Sequence, residues 1–161
     1  MTPLEAATAL FRLMPQPPTA IQLEEYGLSI STSDLPILSR ELLSLNLYWI
    51  LAAIDAHVPS RYRTAIRTSL FQTIQSTWWN SGYLGEGSWD DYLKEMTDRC
   101  AHYAHLVDYE GMSHMAVSAE AVSFLEDRGI VTSEEDRNKL LVFLIDCAPA
   151  AEYGKLLEAA S

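Results

Sequence analysis

Leu42-Leu43-Ser44-Leu45-Asn46-Leu47-Tyr48-Trp49-Ile50-Leu51-Ala52-Ala53-Ile54 is the most apolar stretch of the chain. Wound at 100° per residue, it spreads Leu43, Leu45, Leu47, Trp49, Ile50, Leu51 and Ile54 around the whole circumference, interrupted chiefly by Ser44 and Asn46. A surface helix buries one stripe, whereas this one needs a neighbour on every broad side. It is shorter than a bilayer span and is preceded by Arg40 and Glu41, which reads as a buried helix rather than a membrane helix. Leu140 to Ile145 repeats the all-round pattern in brief. The expected fold is therefore all-α. A single domain over residues 1–161 should hold about six to seven helices in an orthogonal or bundle-like array around these two segments.

Helix punctuation continues outward from that stretch. Thr2-Pro3-Leu4-Glu5 has the form of a capping box with proline at the first helical position, predicting a helix to about Met14, where Pro15, Pro17 and Pro18 stop it. Residues 19–33 show no clear helical face and leave open a short extended segment or an irregular crossing. Ser33 or Asp34 caps the long apolar helix, which should end at about His57 before Val58-Pro59. Tyr62, Ile66, Leu70, Ile74 and Trp78 recur every four residues, so a helix from Ser60 to about Trp79 should turn them inward. Asn80 to Gly87 is a loop. Ser88 and Ser113 are caps for the next two helices, and Thr132-Ser133-Glu134-Glu135 is a capping box for the one after, with Pro149 opening a last short helix. No repeat or linker divides the chain.

At 161 residues and 48% hydrophobic, the chain can bury a core without staples. Its 22 acidic and 11 basic side chains leave a formal net charge of −11. Residues 86–161 carry 16 acids and 6 bases, net −10, against 6 and 5 before them, net −1. That field repels a phosphate backbone, so nucleic acid is not an expected partner, and it favours encounter with a basic protein. The opening residues lack the charged and apolar regions of a secretion signal, and no membrane partner is expected. Cys100 and Cys147 are too few for a disulfide framework, and two free thiols suit a cytoplasmic protein.

Three groupings carry chemistry. Asp98, His102 and His105 sit at i, i+4 and i+7 of one helix, a spacing that suits a divalent ion, although the same wheel turns them towards solvent. The case would strengthen if His57 or His114 closed over them. Trp79, Tyr83 and Trp89, with Glu86, surround a glycine-bearing loop whose composition suits anchors for a protein partner. Arg63 and Arg67 lie one turn apart and suit a carboxylate or a single phosphate. No Walker loop, nucleophile elbow, His-Glu-x-x-His or Cys-x-x-Cys is present, and no cofactor is expected. The sequence favours a non-catalytic acidic helical protein-interaction module of the inhibitor, immunity-type or chaperone-like kind. Its alternatives are a small metal-binding enzyme or sensor using Asp98, His102 and His105, and a self-associating bundle, with a homodimer left open.

Overall fold

In the computed structural model, which describes residues 1–160, the decisive stretch lies inside one 23-residue helix. The elements are α1 (Pro3–Leu13), α2 (Ala20–Glu25), α3 (Leu35–His57), α4 (Ser60–Ile74), α5 (Trp89–Asp108), α6 (His114–Asp127), α7 (Glu134–Asp146) and α8 (Ala150–Ala160). A π-helical turn, Gln75–Trp79, prolongs α4. Among the described residues there is no strand, and the fold is all-α, with seven helices of eleven or more residues and the short α2.

Helix α3 is apolar on all sides because it serves two cores at once. Leu43, Leu47, Ile50 and Ile54 face a cluster completed by α1, α4 and α8, while Leu38, Leu42, Leu45 and Tyr48 face another completed by α2, α6 and α7. Every side chain from Leu42 to Tyr48 is buried. By length and composition α3 is apolar enough to cross a membrane, yet 72% of its most apolar window is buried within this fold. Neighbouring helices thus occupy the surroundings that lipid would otherwise supply.

Polar residues within α3 act as joints. Asn46 donates through Nδ2 to the carbonyls of Leu42 at 2.9 Å and Cys147 at 3.0 Å. Glu41, 1% exposed, receives Arg99 of α5 in a two-pronged pair with a shortest distance of 2.8 Å. Burial pushes the Glu41 carboxyl above its ordinary range, and Arg99 pulls it part of the way back.

Helix starts follow the expected chemistry with local shifts. Thr2 and Glu5 cap each other reciprocally, each bond at 3.1 Å. Ser88 and Ser113 cap α5 and α6 through the main-chain N–H groups of Asp91 and Ala116. At α7 the cap is Ser133 rather than Thr132, because Ser133 Oγ accepts from Asp136 N at 3.1 Å.

Three expectations need correction. Residues 19–33 contain no extended strand: the Thr19 hydroxyl accepts from Gln22 N and starts α2, which turns Leu23 inward before Gly27 reverses the chain at φ +80°. Tyr62 does not join its row in the core; it is 42% exposed at the first turn of α4, whereas Ile66, Leu70, Ile74 and Trp78 are buried. Leu140–Ile145 is not wrapped on every side either. Leu140, Phe143 and Leu144 are buried, but Val142 is 51% exposed, because α7 lies on the outside of the second core.

Candidate functional site

The proposed metal ligands are drawn apart by their neighbours. His102 Nε2 lies 3.0 Å from Glu120 Oε1 on α6, and its ring meets Phe124 edge-on at 5.6 Å. His105 turns the other way and stacks on Tyr109 at 5.1 Å. Asp98 has no ion-pair partner among the described residues. His57 lies beside Gly154 of α8, and His114 packs against Trp49 at 5.5 Å, so neither closes over the α5 face. Among the described residues no three His, Cys, Asp or Glu side chains gather as a metal site.

The aromatic loop is built more firmly than its glycines imply. Trp78 is 2% exposed, and Trp79, Trp89 and Tyr92 form a chain of rings with successive centroids 5.9 and 5.6 Å apart. Trp79 and Trp89 are therefore half-buried against the core, and of the four residues proposed as partner anchors only Tyr83 and Glu86 are exposed. Leu84 plugs the loop into the first core. Arg40 pins it from α3, donating to the carbonyls of Leu84 and Glu86, both at 3.4 Å, and to Glu95 at 2.9 Å. Gly85 completes the fit: its φ is +82°, and a Cβ there would stand 3.0 Å from Pro36 Cβ.

The two candidate anion-binding arginines instead bracket the end of α3. Arg63 donates to the carbonyls of Val58 at 2.8 Å and Asp55 at 2.9 Å, satisfying main-chain acceptors that the helix end leaves open. Arg67 Nη2 bonds the Asp55 carboxylate, while its Nε is buried with no hydrogen-bond partner among the described residues. Arg63 is spent on structure. Arg67 is only partly satisfied.

Arg67 stands on the wall of a trough of about 740 Å³ between α4 and α5. The last turns of α3 form its floor through Leu51, Ala52, Asp55 and Ala56. Phe71 of α4 faces Met96, Cys100, Ala101 and Ala104 of α5 across it, and Asp108 stands at the C-terminal end of the α5 wall. The trough exists because α4 packs chiefly on α1, and α5 packs on α3 and α6, so the two walls meet at most weakly. Small side chains on α3 and α5 then leave the floor low. Burial pushes the Cys100 thiol up to about 12, so it is a lining group rather than a nucleophile. Burial and the nearby Asp108 together push the Tyr48 hydroxyl up to about 12.

No family model matches the chain, and neither a curated protein nor a solved structure is significantly similar to it. Its site must therefore be read from its own geometry.

The trough is not visible in the sequence because its residues come from three helices. The available signal was the spacing of small residues, Ala52 with Ala56 and Ala101 with Ala104. On a helix otherwise rich in large apolar side chains, such pairs mark a face where backbone is kept accessible.

Proposed function

We propose that the protein is a non-catalytic, acidic protein-interaction module that engages a basic protein partner. The observation that carries this reading is the open trough over the C-terminal turns of α3, whose α5 wall belongs to the acidic half of the chain. Apolar floors with polar rims are how protein interfaces combine affinity with specificity. Asp90, Asp91, Asp98, Asp108 and Glu110 are all exposed, and together they supply the field that would steer a cationic partner. The aromatic loop contributes Tyr83 and Glu86 to this surface at most, since its tryptophans serve the core.

Charge reversal tests the reading. The parent chain and a variant with Asp90, Asp91, Asp98 and Glu110 changed to Lys are used as baits in extracts of the native host at low and high salt. The parent should retain a discrete basic protein that salt releases and the variant fails to retain. Equal retention by the two baits, or retention unaffected by salt, contradicts the proposal.

A further inference from the structure

We infer that the trough between α4 and α5 is a groove for an amphipathic cationic helix of the partner, about three turns long. This rests on the interaction-module reading and gives it a location and an occupant. The length comes from the α5 wall. Its lining runs from Met96 to Asp108, and twelve steps at ~1.5 Å per residue make a channel about 18 Å long. Three turns of a partner helix match that span.

The cross-section fits a helix laid sideways. Ala52 and Ala56 on α3 and Ala101 and Ala104 on α5 keep the floor low, so apolar side chains of a second helix can reach down between the two backbones. Leu51 and Phe71, both half-buried, supply apolar surface for a stripe at i, i+3, i+4 and i+7, and the core residue Met96, 5% exposed, backs the α5 wall at its near end. The volume of about 740 Å³ gives room for a row of aliphatic side chains rather than for a whole helix. The occupant's backbone would therefore ride at the mouth.

Charge fixes the rest of the occupant. Asp108 within the groove and Asp98 on the outer side of the same helix are exposed and have no ion-pair partner among the described residues. Lys or Arg flanking the partner's apolar stripe would meet both. Across the groove, Asp55 takes only one donor of Arg67, whose Nε lacks an acceptor. An occupant side-chain amide or carbonyl oxygen would relieve that deficit if the guanidinium turned towards it, because a buried donor without an acceptor is destabilising. An acidic helix would place its carboxylates against Asp108 and Asp98 and be rejected.

The test uses the full chain and three 14-residue peptides: Leu and Lys arranged at helical spacing, the same design with Glu for Lys, and a scrambled Leu/Lys sequence. Methyl and amide NMR shifts are followed during titration. The helical Leu/Lys peptide should bind saturably and shift Ala52, Ala56, Ala101 and Ala104, while the other two should not. Ala56 and Ala101 are exposed, so Ala56→Tyr and Ala101→Tyr should fold normally and weaken binding at least about tenfold. Shifts confined to acidic residues outside the groove, unchanged in both variants, would overturn the groove while leaving the acidic-module reading standing. Absence of saturable binding by the helical peptide would overturn the groove as well. A dimer in sedimentation that Ala101→Tyr dissolves would also contradict it, because the occupant would then be a second copy of this chain.

Discussion

Tyr153 of α8 donates its hydroxyl to Asn46 Oδ1 of α3 at 2.6 Å, in a joint closed to water. The same asparagine holds the carbonyl of Cys147 just before α8, so one polar side chain fixes the register of α8 on the most apolar helix of the fold. A hydrophobic contact could slide along α3, whereas this joint fits one position.

Asn46→Ala should lower stability by about 2–4 kcal/mol, because it orphans both the Tyr153 hydroxyl and the Cys147 carbonyl. Tyr153→Phe, which leaves only Asn46 Oδ1 without its donor, should cost about 1–2 kcal/mol. Denaturant midpoints measure both. Equal losses for the two variants would show that the cysteine carbonyl finds another partner.

The core helix was legible in the sequence, and the reason was physical. A circumference without a polar stripe admits no wet side, and from Leu42 to Tyr48 α3 meets that demand by dividing its faces between two cores. Its last turns, expected to be wrapped as well, keep one side open at Leu51, Ala52 and Ala56. Leu140–Ile145 looked similar over six residues, but a short stretch cannot separate a wrapped helix from an outer one, and Val142 turned out exposed. Capping chemistry is local and was read to within one residue at α7. The candidate site was harder. Tryptophans suggestive of a partner surface are consumed by the core, and Asp98, His102 and His105 share a helix face but find different neighbours. The trough depends on how loosely α4 and α5 meet, a property of tertiary packing that no single segment encodes.

Glu41 and Arg99 form the second buried joint, and a double-mutant cycle should expose its strain. Arg99→Met leaves a carboxylate that is 1% exposed without its cation, and should cost about 3–5 kcal/mol. Combining it with Glu41→Leu should recover most of that loss, since the desolvated charge is gone. The Arg99 guanidinium also lies 3.7 Å from the centroid of the Phe124 ring, so recovery should be incomplete. Purely additive losses would contradict the pairing.

His114 should make stability fall on acidification. Its ring is pressed against Trp49, and burial lowers its pKa below the ordinary value of 6.5, opposed in part by a bond to the main chain of Ala148. A base with a lowered native pKa binds protons more readily when unfolded, so its contribution is intact above about 6.5 and is lost as pH falls towards the native value. Chemical denaturation at pH 7.5, 6.5 and 5.5 should show a steeper decline for the parent than for His114→Gln. Parallel pH profiles would remove His114 as the cause.

Gly85 should tolerate no side chain. Its positive φ and the 3.0 Å approach to Pro36 both penalise Gly85→Ala, by about 1–3 kcal/mol. Amide exchange should then accelerate through residues 80–88 while α3 remains protected. Unchanged exchange would mean that Arg40 alone holds the loop.

The central claim is that the isolated chain leaves one side of α3 open after sealing the others. A soluble gadolinium chelate, added to alanine-methyl-labelled protein at low concentration, measures this directly by relaxation. Ala56 and Ala101 should relax strongly and Ala52 and Ala104 to an intermediate degree, while Ala53 and Ala121, buried in the two cores, stay shielded. If all four trough alanines proved as protected as Ala53, the groove would be closed in solution and the account of a docking site would be wrong.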